Sequence, residues 1–244
     1  MNKLRKLLQY EMKRIVVTKT YIFLSLLSIV LCLYVLNNIV VFGMYDTAPY
    51  SEWSFIYYLQ WVLLFTAITL LPFTTKLYDK KETQVQIIML ATPTNVAKQK
   101  GIKVSAIFII ALCNLLVCVI AFFGYMLIKF KVLPSWSLLI YTALIGIPQL
   151  LLVLGLGVLV ANINSKLPYI LLAILIFVNV VAVSLPMEWD VLGNSILTIP
   201  QQQIPTVGVI AFYIPGKYIL SRIGVGILGC CLLFLICKKK QKAL

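Results

Sequence analysis

The side chains that most enzymes use for chemistry are scarce in this sequence. Histidine is absent, which removes Ser-His-Asp and Cys-His nucleophile systems, H-E-x-x-H zinc sites and imidazole proton relays. Cys32, Cys113, Cys118, Cys230, Cys231 and Cys237 all lie in or at the edge of apolar stretches, without paired C-x-x-C spacing. They read as small apolar packing residues rather than metal ligands or disulfide partners. No G-x-x-x-x-G-K-[ST] loop is present, so the chain does not cradle nucleotide phosphates by that route. No Asp or Glu lies centrally in an apolar stretch, which argues against a carrier coupled to protons or sodium. The polar groups inside apolar stretches are amides: Asn37, Asn38, Gln60, Asn114, Gln149 and Asn179. Such amides either bond neighbouring helices together or line a polar pathway. Asn37, Gln60, Asn114, Gln149 and Asn179 are the pathway candidates.

The other chemically distinctive stretch is Lys76 to Lys103, a polar interruption between two apolar segments that carries Lys76, Lys80, Lys81, Lys98, Lys100 and Lys103. Thr83 followed by Gln86 has the spacing of a capping box, which satisfies free backbone donors at a helix start. Val85, Ile88 and Met89 then share one helical face. Pro93 ends the run, because the residue before a proline is pushed out of the helical region. Thr94 is placed to cap a second short turn, Asn95 to Lys100, leading into the next apolar segment. A short amphipathic helix, 83–92, must bury its apolar face against lipid headgroups or another protein.

These stretches are positioned by a chain that is 62% hydrophobic over 244 residues, with a mean hydropathy of +1.02. A globular domain of that size needs a polar skin that this composition does not supply. The expected fold is an all-α polytopic membrane protein with one transmembrane domain, 1–244. Its apolar runs are continuous rather than alternating and long enough for a hydrocarbon layer of about 30 Å. Six spans are expected, at about 21–42, 54–75, 104–128, 138–160, 167–185 and 218–237. The first starts too far in, and lacks a small-residue cleavage site, to be a signal peptide.

The charge distribution orients the chain. Six spans put both termini on one side, and 17 of the 21 cations fall on that side, against 4 on the other: Lys129, Lys131, Lys217 and Arg222. A bias of this kind in short loops places the termini and the 76–103 segment in the cytoplasm. The net charge of +14 is therefore a topology signal rather than a nucleic-acid-binding face. Residues 1–19 carry Leu4, Leu8, Met12 and Ile15 as an apolar stripe among Lys3, Arg5, Lys6, Lys13 and Arg14, the pattern of a basic helix lying on the membrane surface. Residues 186–217 form an outer segment. Its apolar piece 204–214 is bracketed by Pro205 and Pro215, is too short to span, and is expected to re-enter the outer leaflet. Gly155 and Gly157 read as close helix packing, and Gly226 with Cys230 as a small-xxx-small contact. Arg222 is expected to reach the headgroups by snorkelling.

A basic amphipathic arm, two spans, a cytoplasmic loop with a short helix, and four more spans with a broken outer segment before the last together resemble the six-span permease subunits of type-two ABC exporters. The local likeness lies in Glu82, Thr83, Ile87 to Leu90, Ala91-Thr92-Pro93 and Lys100 or Lys103. The family's Gly between acid and Thr is missing, and Asn95 stands where a basic residue is often found. The resemblance implies a coupling helix that docks on a separate ATP-hydrolysing subunit through Glu82, Thr83, Gln86, Met89, Leu90 and Pro93. It also implies a second six-span permease, identical or a sister, and a location in the cell membrane, typically bacterial. This chain would hold no catalytic residue, metal or cofactor; ATP would sit on the partner. The substrates that the family suggests are amphipathic peptides, antimicrobial compounds or lipids, moved for secretion or self-protection. The alternatives are a non-transporting membrane scaffold and an intramembrane enzyme, the latter disfavoured by the missing histidines and central carboxylates.

Overall fold

The computed structural model describes residues 2–38, 51–79, 96–180, 194–197 and 212–238. These residues form α1 (Asn2–Val16), α2 (Lys19–Asn38), α3 (Glu52–Lys76), α4 (Val96–Phe130), α5 (Ser137–Ile163), α6 (Leu167–Val180) and α7 (Gly216–Lys238), with a 3-10 turn at Asn194–Leu197 and no strand among the described residues. Five helices, α2, α3, α4, α5 and α7, are long and apolar enough to cross a membrane. The described part of α6 has 14 residues, about 21 Å at 1.5 Å per residue. The expected end of that span, near Leu185, lies outside the described residues, as do most of the 204–214 segment and the whole of 80–95.

Local chemistry sets the helix boundaries. Thr18 divides the basic arm from the first long helix: its hydroxyl donates to the Ile15 carbonyl at 2.7 Å and accepts from the Tyr21 N–H at 3.3 Å. One side chain thus closes α1 and caps α2. Ser51 caps α3, its side chain accepting from the Ser54 N–H, with Glu52 in the first turn where a carboxylate favours the helix dipole. Lys131 stops α4 by adopting φ 54°, the left-handed conformation common just past a helix end, while its N–H donates to the Leu127 carbonyl at 3.1 Å. Of the turn expected at Asn95–Lys100, residues 96–100 are helical and run directly into the next span, while Asn95 lies outside the described residues. The described helix is continuous from Val96, because nothing between Val96 and Val104 breaks it, and Gly101 is tolerated in open space.

Contacts between side chains fix the helix directions. Leu63 lies beside Gly146, and Leu71 and Thr74 lie beside Gly157, so α3 and α5 run parallel. Pro148 lies beside Gly226 and Leu151 beside Gly229, so α5 and α7 also run parallel. Tyr58 meets the Cys118 carbonyl, while Thr69 meets Asn114, so α4 opposes α3. Ser28 beside Phe65 and Tyr21 beside Phe73 make α2 antiparallel to α3 as well. The start of α2, the end of α3, the start of α4 and the ends of α5 and α7 therefore share one end of the bundle, called basal here, together with α1. α5 therefore ends at the basal end, where α6 follows it after a short turn, and α7 starts at the other, apical end.

The core is built around α3. Its most apolar window is 83% buried, against 22% for α2 and for α7. Trp53, Phe55, Tyr58, Leu59, Leu63 and Leu71 are nearly or wholly inaccessible. The outward faces of α2 and α7, with Phe23, Val30, Leu220 and Phe234 exposed, suit a hydrocarbon environment.

Candidate functional site

The amide side chains separate into two groups. Gln60, Asn114 and Gln149 are buried in the bundle, on α3, α4 and α5. Asn114 donates from Nδ2 to the Thr69 hydroxyl at 3.3 Å, joining α4 to α3. The Gln149 Oε1 is buried with no hydrogen-bond partner within the chain, an arrangement that costs about 1–3 kcal/mol. Asn37, by contrast, is exposed at the apical end of α2, where its Oδ1 accepts from the Tyr125 hydroxyl at 3.1 Å. Asn179 is half-buried on α6. The structure thus brings three amides into the interior and leaves two at its margin.

The apical end is closed by aromatic rings. Phe212 packs against both Trp53 and Tyr141, each at a centroid distance of 4.9 Å. Ile196 and Leu197 of the 3-10 turn are buried in the same core, and the turn packs against α3. Sequence reading missed this turn, since Asn194–Leu197 is too short to carry a period. Arg222 does not snorkel. It is fully buried, its guanidinium 4.8 Å from the centroid of the Tyr218 ring one turn earlier. A ring face attracts a desolvated cation, which holds the side chain inside instead.

The basal end gathers the cations. Arg5, Lys6, Lys13 and Arg14 of α1, Lys76, Lys98, Lys100 and Lys103 at the feet of α3 and α4, Lys166 in the α5–α6 turn and Lys238 at the end of α7 all belong to it. Lys129, Lys131 and Lys217 lie at the apical end, as does Glu52. Several basal lysines rest over rings: Lys76 over Phe73 at 4.7 Å, Lys100 over Tyr78 at 4.6 Å and Lys238 over Phe234 at 5.7 Å. Between α1 and the feet of α3 and α4 lies a cleft of about 230 Å³, lined by Glu11, Arg14, Ile15, Thr18, Phe73, Lys76, Leu77, Lys103 and Ile107. The α1 stripe faces inward over part of its length: Leu8, Met12 and Ile15 are half-buried, whereas Leu4 is exposed.

The six residues expected to dock a partner, Glu82, Thr83, Gln86, Met89, Leu90 and Pro93, lie outside the described residues. Their flanks do not: Asp79 follows α3 and Val96 starts α4, both at the basal end. Among the described residues no group of His, Cys, Asp and Glu could hold a metal ion. Cys32 and Cys118 pack in the core, while Cys113, Cys230 and Cys231 lie on the outer surface.

Glycines make the tightest contacts between helices. A Cβ on Gly157 would meet Leu71 Cδ2 at 2.7 Å, and one on Gly155 would meet the Gly229 carbonyl oxygen at 3.1 Å. On α7 the crowded positions are Gly226, facing Pro148, and above all Gly229; Cys230, the other half of the expected small-xxx-small pair, is exposed. Comparison with protein-family models, curated proteins and solved structures gave no match.

Proposed function

We propose that this chain is the membrane-spanning permease subunit of an ATP-driven exporter, with six spans and both termini in the cytoplasm. It would move an amphipathic peptide, an antimicrobial compound or a lipid-like substrate out of the cell, and ATP would be bound and hydrolysed on a separate subunit. The observation that carries this reading is where the described flanks of 80–95 lie: α3 ends and α4 begins at the basal end, beside α1 and most of the described cations. The amphipathic helix expected at 83–92 would then lie near the foot of the most buried helix among those described.

That placement is mechanically useful. α3 touches α2, α4, α5 and α6, so a displacement of its foot is passed to most of the bundle. Close-packed helices shift as bodies rather than deform continuously. A partner that moves the helix at 83–92 as ATP binds would tilt α3 and α4 together and exchange an inward-open for an outward-open arrangement. Gln60, Asn114 and Gln149 are the interior polar groups that such a motion would present to a substrate. The Gln149 acceptor without a partner is the one most ready to receive an N–H or O–H. A second six-span chain, identical or a sister, would complete the pathway, and the Phe212, Trp53 and Tyr141 cluster would close its outer end.

The test is co-purification of the full chain from its native membrane. A soluble protein carrying G-x-x-x-x-G-K-[ST] is expected to accompany it, and Met89→Asp or Leu90→Asp to release that protein. A partner retained in both variants refutes the docking face. The absence of any nucleotide-binding companion refutes the function.

A further inference from the structure

We propose that the basal cleft between α1, α3 and α4 is a site for a phosphate anion, and that its occupant is the headgroup of an anionic phospholipid. This inference needs only the membrane location, not the transport reading. The cleft has a volume of about 230 Å³, enough for about seven waters at liquid density. Its lining holds three cations, Arg14, Lys76 and Lys103, and one acid, Glu11. Glu11 is 3.4 Å from the Arg14 guanidinium and also acts on Lys103, so the lining sets one acid among three cations. The fold holds these like charges around a common space from three separate helices, and an anion in that space lowers their mutual repulsion.

The rest of the wall favours a lipid over a free ion. Ile15, Phe73, Leu77 and Ile107 give the cleft an apolar side that a hydrated phosphate could not use, whereas the glycerol and first methylenes of a lipid could. The cleft also lies at the foot of helices long enough to span, where headgroups would be met, and beside an arm whose Tyr10, Val16 and Val17 are exposed. A basic pocket between helices at this depth is suited to anionic headgroups.

The experiment is native mass spectrometry of the full purified chain titrated with phosphatidylglycerol, with phosphatidylcholine, and with inorganic phosphate as the free-ion arm. The chain is expected to prefer phosphatidylglycerol. Removing one cation should weaken binding about fivefold, and Lys76→Gln with Lys103→Gln together about thirtyfold, while Lys129→Gln with Lys131→Gln at the apical end should leave the first bound lipid unaffected. Glu11→Gln should tighten binding severalfold, a gain that misfolding cannot produce and that decides the matter if the double lysine variant does not fold. Equal binding by the basal variants, equal loss from the apical pair, or no gain from Glu11→Gln overturns the site. Inorganic phosphate binding as tightly as the lipid overturns the lipid as its occupant.

Discussion

Gly229→Ala is the smallest change that should force two helices of this bundle apart. The new Cβ would lie 2.7 Å from the carbonyl carbon of Leu151 and from the amide nitrogen of Leu152, and 2.9 Å from the Leu151 oxygen. These are backbone atoms inside α5, so no rotamer change can relieve the contact. Reaching ordinary contact requires α7 to move away by about 0.7 Å. A gap of that size forfeits about a quarter to a half of each dispersion contact along the seam. Gly155, which packs on Gly229 and Leu232, and Gly226, which packs on Pro148, lie on the same seam. Overpacking of this kind costs about 1–3 kcal/mol, and the upper half of that range is expected here. The control is Gly224→Ala, whose Cβ would meet nothing within 4 Å and which should be neutral or slightly stabilising, since Ala is the better helix former. Both variants, unfolded by denaturant in the same mixed micelles, give the comparison. Equal stability of Gly229→Ala and Gly224→Ala would refute the close parallel packing of α5 and α7, and with it the helix directions argued from that seam.

Four further outcomes are expected. Gln149→Leu should hold or raise stability, by up to about 1–2 kcal/mol, because it removes a buried acceptor that has no partner, yet lower transport; a fall in stability without loss of transport would contradict the role given to Gln149. Tyr58→Phe should cost about 0.6–1.7 kcal/mol, the range for hydrogen bonds between membrane helices, since its hydroxyl donates to the Cys118 carbonyl at 2.7 Å; an unchanged denaturation midpoint would mean that this bond carries nothing. Lys131→Gly should stabilise the α4–α5 connection by about 1 kcal/mol, because it relieves a left-handed residue at φ 54°; a destabilised variant would argue against that conformation. Lys98→Cys and Lys131→Cys should react with a membrane-impermeant maleimide from opposite faces of sealed vesicles, and labelling from one face would contradict the proposed topology.

The spanning helices were legible because a bilayer imposes a length and a continuous apolar composition on each of them, and α2, α3, α4, α5 and α7 satisfy both. The close packing at Gly155 and Gly157 was legible for a related reason: glycine within an apolar helix is costly unless a neighbour uses the space, and Leu232, Leu71 and Thr74 do so. What failed were inferences that depend on which face of a helix meets which neighbour. The spacing of Gly226 and Cys230 suggested one contact, but the rotation of α7 places Gly229 against α5 and leaves Cys230 outside. Arg222 was assigned to the headgroups from its position near a span end, whereas Tyr218 supplies a ring that keeps it buried. Among the candidate pathway residues, pattern alone could not separate Gln60, Asn114 and Gln149 from Asn37 and Asn179, because burial inside a bundle depends on helix rotation rather than on composition.

The central claim is that energy reaches this bundle from outside, through the segment between α3 and α4. A photo-crosslinking residue at position 90, activated in native membranes, tests it directly. A single adduct with a soluble protein carrying a G-x-x-x-x-G-K-[ST] loop is the predicted product. Adducts with lipid alone, or with a partner on the opposite side of the membrane from α1, would contradict the account.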